Sequence, residues 1–316
     1  HSGSPGWPAL RDRVSRKAVL QSFMDQDDSY TGYIQPRWPQ LRYRNMATRT
    51  WGYMARAATL PADRLYLDAA WTRDNVSRQG PLGAFYRVWG DGRQMVKDDI
   101  FDYFGFRGLT AEQLKSRGYI VWAPIEAPGS WISEGDTSTF MNLIDNGLRA
   151  HEDVRFGGWG GRREPGTGPN EMEKDDSSAR FFAAAQREFA ARLRWSVTPR
   201  FNDANHPPRL QVQGALQREA RPGERITLAA RASDPDGDRV RLHWWHYREA
   251  GTYTGAVVMA DAEVARAHVT VPADAAPGST IHLIAEATDA GEPALTRYQR
   301  VVVKVLPHKG LPAYRN

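Results

Sequence analysis

The sequence contains no cysteine, which excludes disulfide bonds and thiolate metal ligands. It has no apolar run near the ~20 residues that a membrane-spanning helix needs, so we expect no membrane partner. It also has no block of lysine and arginine that would track a phosphate backbone, although the formal net charge is +5. We therefore expect no nucleic-acid partner.

Aromatic residues, by contrast, are abundant. The chain holds 11 tryptophans and 12 tyrosines among 316 residues. Such a tryptophan count is common in proteins that stack on carbohydrate, although core packing accounts for many tryptophans too. The length suggests two domains of ordinary size.

The first two hundred residues alternate between predicted strands and helices. Residues 18–24 are a compact apolar run typical of a buried parallel strand, and residues 41–44 and 119–122 predict two further strands. This alternation favours an α/β layer.

Several helices are predicted from their end signals and spacing. Thr110 and Gln113 have helix-start chemistry and lead to Gly118 as a C-cap, and Ser177 opens an amphipathic helix. Residues 71–83 look loop-like, with a helical stretch following over 84–89.

The pattern changes after Pro208, where short β runs are separated by Gly, Pro and Asp turns. Seven such runs predict an all-β immunoglobulin-like sandwich. They span residues 210–213, 226–232, 240–247, 255–259, 267–271, 280–288 and 298–306. The predicted organisation is an α/β domain over 1–198, a linker over 199–208, the sandwich over 209–306 and a tail over 307–316.

Acidic residues follow the first predicted strand. Asp27 and Asp28 stand at its carboxyl end, which is the edge where open α/β sheets place their ligand sites. We take both as candidate catalytic residues. The alternative, that they cap the next helix, stays open.

A second acidic pair, Glu134 and Asp136, flanks one glycine before an apolar run at helical spacing that extends to Leu148. Asp136 therefore stands where a helix should begin. Glycoside cleavage needs two carboxyl groups, so both are candidate catalytic residues, and carboxylates also suit Ca²⁺. The alternative is a helix cap beside a solvated acid.

Candidate substrate-binding residues are aromatic or polar. Trp159 and Arg162 lie in a glycine-rich loop that would suit a sugar ring stacked on the indole, although Trp159 packed in the core fits equally well. Trp131 is a pocket or core residue, Asn45 follows the second predicted strand, and Trp122 is assigned to the core.

The run Asp234-Pro235-Asp236-Gly237-Asp238 invites a calcium interpretation. It fails the EF-hand pattern because Arg239 stands where glycine is needed and Trp245 where the closing glutamate should be. A β-turn is favoured. Alternation along the next strand places one of Trp244 and Trp245 in the sandwich core.

The ordered set of motifs resembles the bacterial family of cellulose-binding proteins with a nucleoside-hydrolase-like domain. The resemblance covers nearly the whole chain, including the β-domain. The motifs are Asp25–Asp28, Trp51–Tyr53, Gly80–Ala84, Val88–Gly92, Ser133–Thr137, Asp145–Arg149, Gly157–Arg162 and Asn205–Pro208.

This resemblance implies a function and a metal. Nucleoside hydrolases hold calcium with an N-terminal Asp cluster and one later Asp at a helix start, which Asp136 resembles by position. Glu134 stands near where those enzymes place a histidine. The Asp cluster is not found in this chain, so we expect a segment or partner chain that carries the missing N-terminal part.

The expected function is that of a periplasmic or secreted carbohydrate-active protein. It would hydrolyse or bind a glycosidic linkage of plant cell-wall polysaccharide or oligosaccharide. One alternative is a non-catalytic polysaccharide-binding protein. The other is a nucleoside N-ribohydrolase, which the lack of a histidine near Asp136 disfavours.

Overall fold

The computed structural model describes residues 19–22, 35–37, 42–45, 59–132, 143–159, 161–162 and 177–308. They group into two compact units. The first unit holds the described residues up to Leu143, with those of Gly158–Gln186 and Arg192–Val197. The second unit holds Ile144–Gly157, Arg187–Ala191 and the described residues from Thr198 onward.

Two short strands of the first unit pair in parallel, as the sequence predicts. Strand β1, Val19–Ser22, lies beside β2, Arg42–Asn45, with Ser22 opposite Asn45 at their carboxyl ends. Parallel neighbours need a crossover connection. Helix α1, Gln35–Arg37, lies within that connection.

The region 61–85 is more helical than predicted. A 3₁₀ helix over Pro61–Leu67 is followed by α2, Ala69–Thr72, a π-helical turn over Arg73–Ser77 and α3, Gly80–Phe85. The predictions of a loop over 71–83 and a helix over 84–89 are therefore wrong.

Proline and glycine explain the error at α3. Pro81 occupies the first turn, where its missing N–H is not needed, so it starts the helix instead of preceding it. Gly83 lies so close to the backbone of Val76 that an added Cβ would overlap the Val76 carbonyl oxygen. This glycine serves close packing rather than a turn.

Helix α4, Ala111–Ser116, begins as predicted. Thr110 and Gln113 form a reciprocal capping box, and Gly118 has a φ of 89° after the helix. The strand predicted over 119–122 is wrong. Its backbone is satisfied by other means, because the Ile120 N–H donates to the carbonyl of Ile100.

The apolar spacing after Asp136 predicts a helix that includes Leu143 and Leu148. Residues 143–150 are instead turns and bends, so this helix does not extend through them. Asx-type contacts replace it, since the Asn146 side chain accepts from the Leu148 N–H and Gly147 has a φ of 92°.

The long helix α5, Ser177–Val197, is confirmed. Phe181, Ala185 and Leu193 are buried along it at helical spacing. It also buries a charged residue, Glu188, which is 2% exposed and forms a bidentate ion pair with Arg297. No described helix is long and apolar enough to cross a bilayer.

The second unit contains the predicted sandwich as two four-stranded sheets, ordered β4-β10-β9-β6 and β3-β5-β8-β7. The strands are β3 Arg209–Val212, β4 Gln217–Ala220, β5 Arg225–Ser233, β6 Arg241–His246, β7 Met259–Ala260, β8 Arg266–Thr270, β9 Thr280–Thr288 and β10 Thr296–Val305. All pairs within these two sheets are antiparallel except β10 with β4. Strand β4 was not predicted, because its sequence, Gln-Arg-Glu-Ala, has a single apolar residue.

The core of the sandwich lies between these sheets. Trp244, Leu228, Val269, Leu283 and Val301 are each at most 1% exposed there. The alternation prediction is confirmed, since Trp244 is in the core. The next residue, Trp245, is only partly buried, and its indole N–H donates to Glu286 at 2.9 Å.

Candidate functional site

The four candidate catalytic acids, Asp27, Asp28, Glu134 and Asp136, lie outside the described residues. Their roles stay predictions. Asn45 ends β2 beside the end of β1, at the carboxyl edge from which the chain continues toward Asp27 and Asp28.

Trp131 and Trp159, two of the predicted sugar contacts, are buried. Trp131 is 3% exposed and stacks on Tyr86 with 5.7 Å between ring centroids. Its backbone N–H donates to the carbonyl of Leu67. Trp159 is 4% exposed, and Arg162 is half-buried. A sugar could stack on either indole only after that ring became accessible, and the substrate-binding role of all three residues stays a prediction.

Trp122 is the more accessible indole. The assignment of this residue to the core is wrong, because 39% of it is exposed. Its ring meets Phe104 edge-on at 5.5 Å between centroids and Tyr103 at 6.4 Å. Trp122 therefore presents an aromatic surface to solvent while its position is fixed by two aromatic neighbours.

These neighbours belong to a buried aromatic cluster. Trp89 is 3% and Tyr103 1% exposed, and Phe104 packs against both, with centroid distances of 5.0 and 4.6 Å. Tyr103 also holds the backbone beside Trp122. Its hydroxyl donates to the Ala123 carbonyl at 2.8 Å and accepts from the Ala123 N–H at 2.7 Å.

Exposed apolar side chains occur in the same segments. Ile100 and Ile120, joined by a 2.8 Å backbone hydrogen bond, are each 45% exposed, and Phe101 is 52% exposed. We call Ile100, Phe101, Ile120 and Trp122 the Trp122 surface. Contiguous exposed apolar patches mark interaction sites, so this surface is a candidate for one.

An ion-pair network fixes the loop that carries Tyr103. Arg87 donates to Asp91 at 2.7 and 3.0 Å and to Asp102 at 2.7 Å, and Asp102 also accepts from the Met95 N–H. Burial raises the pKa of Asp91, but the hydrogen bonds from Arg87 and the Arg93 N–H outweigh it, so the pKa lies below its usual value. Asp91 is therefore ionised at neutral pH.

Calcium at Asp136 stays a proposal, because this residue is not among those described. Within the described ranges, one group of three carboxylates lies close enough together to share a cation. These are Asp234, Asp236 and Asp238 of the sandwich, and not residues of the first unit.

The sequence contains one signal that the Trp122 assignment overlooked. Pro124 follows closely, and proline is disfavoured in a central strand because it has no N–H to donate. That proline argues for a loop, where an aromatic side chain is more readily exposed.

Family models match both parts of the chain. Residues 7–163 match the model described as "Cellulose-binding Sde182, nucleoside hydrolase-like domain". Residues 225–305 match "Cellulose-binding protein Sde0182, C-terminal domain". The described residues of the Trp122 surface all fall within the first match.

Solved structures give a similar result. A nucleoside hydrolase-related hypothetical protein from Saccharophagus degradans, associated with carbohydrate metabolism, is 26% identical with a TM-score of 0.64. The match covers 94% of this chain and 65% of that one, so this chain spans about two thirds of its length.

The PKD domain of the KIAA 1837 protein is 18% identical over 33% of this chain and 92% of that chain, with a TM-score of 0.22, too low for comparison. A search of curated protein sequences found no match. The resemblance stated from the motifs is confirmed, as is the fold class. The chain belongs to the family of cellulose-binding proteins that join a nucleoside hydrolase-like domain to a C-terminal β-sandwich domain.

Proposed function

We propose that this protein binds cellulose or a related plant cell-wall polysaccharide through the Trp122 surface. The observation that supports this most directly is an exposed indole held by a rigid aromatic cluster in the nucleoside hydrolase-like domain. A sugar ring offers an apolar face of axial C–H groups, which packs against an aromatic ring. A flat glucan chain would extend from Trp122 over the neighbouring apolar residues.

Rigidity is part of this argument. Binding is weakened when side chains must be ordered on contact, at about 0.5–1.5 kcal/mol for each rotamer-rich group. Trp122 avoids part of this loss, because Phe104 and Tyr103 contact its ring and Tyr103 fixes the adjacent backbone.

The test measures retention on cellulose. The full chain is incubated with microcrystalline cellulose, and the free protein is quantified over a range of concentrations. Trp122→Ala should weaken binding by about tenfold, which corresponds to ~1.4 kcal/mol. Phe85→Ala is the matched control, since Phe85 is an aromatic residue that is 84% exposed in the same unit. Equal binding by wild type and Trp122→Ala would refute the role of this surface.

Hydrolysis of a glycosidic bond is the second candidate function. Its support is that the nucleoside hydrolase-like match includes every candidate acid, namely Asp27, Asp28, Glu134 and Asp136. Sugar release from a panel of polysaccharides would test it, with Asp136→Asn as the control. Release by the wild type that the variant abolishes would support catalysis, whereas retention on cellulose without release would leave binding alone.

Action outside the cytoplasm belongs to the same proposal, because cell-wall polysaccharide and the oligosaccharides derived from it are met outside the cytoplasmic membrane. Periplasmic or secreted protein should then be found by cell fractionation of the source organism. Recovery solely from the cytoplasm would contradict this part.

A further inference from the structure

The loop between β5 and β6 brings three carboxylates together. Asp234, Asp236 and Asp238 each offer an oxygen, and these oxygens lie within 4.8 Å of one another. One oxygen of Asp234 accepts the N–H groups of Asp236 and Asp238, which accounts for the turn itself. The turn does not account for the other Asp234 oxygen, Oδ2, which is buried and has no hydrogen-bond donor.

A fourth carboxylate, in the loop between β9 and β10, also has a buried oxygen without a hydrogen-bond donor. Asp289 is 5% exposed. Its Oδ1 accepts from Asn205 at 3.1 Å, Gly291 at 3.0 Å and Leu295 at 2.9 Å. Its Oδ2 is buried and receives no hydrogen bond. An ionised oxygen in that position is destabilising unless a positive charge compensates it.

Two consecutive residues connect Asp289 to the acidic loop. Asn205 donates to Asp289, and the backbone N–H of His206 donates to Asp236 at 2.6 Å. The His206 ring nitrogen Nδ1 lies 3.2 Å from the other Asp236 oxygen. Asp289 and the acidic loop are thus linked through the adjacent residues Asn205 and His206.

We propose that Asp234, Asp236, Asp238 and Asp289 form a calcium site in the sandwich. Asp234, Asp236 and Asp238 offer oxygens within 4.8 Å of one another, and Asp289 adds a carboxylate from the loop linked to them through Asn205 and His206. One oxygen of Asp234 and one of Asp289 are buried without a donor. Among the described residues, His206 is the one basic side chain in an ion pair with any of the four. A divalent cation would supply the missing positive charge.

Calcium suits the site better than magnesium. Ca²⁺ accepts six to eight oxygens in a flexible geometry, whereas Mg²⁺ demands a near-ideal octahedron and keeps its water. A turn plus a carboxylate from a separate loop offers several oxygens at irregular positions. The ion would tie the β5–β6 loop to the β9–β10 loop and stabilise the sandwich.

Calorimetric titration of the full chain with CaCl₂, after EDTA treatment and dialysis, tests this directly. We expect one saturable site with a dissociation constant of about 10⁻⁴ to 10⁻³ M, the range of extracellular calcium modules. Binding of MgCl₂ should be at least tenfold weaker. Thermal unfolding should shift upward by about 5 °C in 10 mM CaCl₂. Asp136→Asn should leave this site intact, which separates it from any calcium bound near Asp136.

The variants Asp289→Asn and Asp234→Asn should weaken calcium binding by at least tenfold. Asp289→Asn keeps the Oδ1 acceptor for Asn205, Gly291 and Leu295, so it preserves the loop. Without calcium it should melt at a higher temperature than the wild type, because it removes a buried negative charge. With calcium the order should reverse. A merely structural aspartate would show no such reversal.

Asp274→Asn is the matched control. Asp274 accepts a hydrogen bond from the Tyr253 hydroxyl and lies in the turn after β8. This turn contacts Glu224, just before the start of β5, through the Val271 N–H. Asp234, in contrast, follows the other end of β5. Nine residues of strand separate the two positions by roughly 30 Å. Absence of binding by the wild type, or equal binding by wild type and Asp289→Asn, would overturn the proposal.

Discussion

The buried guanidinium of Arg300 donates its Nε–H to the backbone carbonyl of Leu148 at 2.7 Å, across 152 residues of sequence. The same side chain donates to the carbonyls of Phe156 and Gly157. Burial lowers its pKa to about 9. Together with the Tyr298 N–H, which donates to the Asn146 carbonyl at 2.8 Å, Arg300 of β10 holds the segment Ile144–Gly157 against the sandwich.

Arg300→Met should destabilise the second unit. It keeps most of the side-chain volume but leaves three carbonyls, those of Leu148, Phe156 and Gly157, without their donor, so we expect the free energy of unfolding to fall by about 3 kcal/mol. Urea unfolding followed by tryptophan fluorescence would measure the change. Arg266→Met, at an exposed position of β8, is the control. Equal midpoints for the two variants would contradict the structural role of Arg300.

Low pH should destabilise the sandwich through His282. Burial lowers the pKa of His282 to about 3, and the charge of Arg300 adds to this, while an Arg300 N–H donates to Nδ1 at 2.7 Å. Because the pKa in the folded state lies below the ordinary 6.5, the fold requires neutral histidine. Its contribution is complete above about pH 6.5 and is lost as the pH falls toward 3, by at most ~1.4 kcal/mol per pH unit.

His282→Gln, which offers an acceptor that does not titrate, tests this pH dependence. The free energy of unfolding in urea should fall between pH 7 and pH 5 more steeply for the wild type than for the variant. His268→Gln, at a partly exposed position of β8, should retain the wild-type slope. Parallel curves for the wild type and His282→Gln would show that His282 does not contribute.

Gly147→Ala should be far more destabilising than Gly223→Ala, although both glycines have a positive φ. An added Cβ would overlap the carbonyl oxygen of Tyr298, which belongs to β10. Gly223 has a φ of 80° with nothing within 4 Å, so Gly223→Ala reports the backbone strain alone. We expect about 1 kcal/mol for Gly223→Ala and at least 3 for Gly147→Ala in urea unfolding. Similar losses would mean that the segment does not approach β10 closely.

Tyr103→Phe should weaken cellulose binding although Tyr103 itself is buried. The variant leaves the Ala123 N–H and carbonyl without their partner, which frees the backbone beside Trp122. We expect a loss of about 1–3 kcal/mol in stability and a several-fold loss in retention on cellulose. Tyr119→Phe, which removes a hydroxyl whose contact to Gln94 is 3.3 Å, should have a smaller effect on both. If Tyr103→Phe bound cellulose as the wild type does, Tyr103 would not position Trp122.

The sequence predicts those elements whose signals are local. Alternation along the strands predicts most of the sandwich, and the capping residues Thr110 and Gln113 predict the start of α4. Local signals fail where distant residues decide the structure. Residues 119–122 have the composition of a strand, yet the Ile120 N–H donates to the loop carbonyl of Ile100. The next residue along, Ala123, has its backbone N–H and carbonyl paired with the Tyr103 hydroxyl.

Buried charges are the hardest feature to predict. Glu188 reads as a solvated helix residue, but Arg297, more than one hundred positions later, pairs with it at 2.8 Å. Arg300 lies in β10, and the sequence of this strand does not indicate that its side chain donates to three distant carbonyls. For the candidate site, composition predicted an aromatic sugar contact, and the structure adds Trp122 to the candidates because exposure depends on the packing of Tyr103 and Phe104.

The attachment of residues 144–157 to β10 bears on how the sandwich would behave as an excised fragment. A piece beginning at residue 209 would retain both sheets but would lack the partners that residues 148–157 give to the Arg300 guanidinium and to the His282 ring. Such a fragment should aggregate or refold poorly. A stable isolated sandwich should therefore need residues 144–157, either covalently linked or added as a separate peptide.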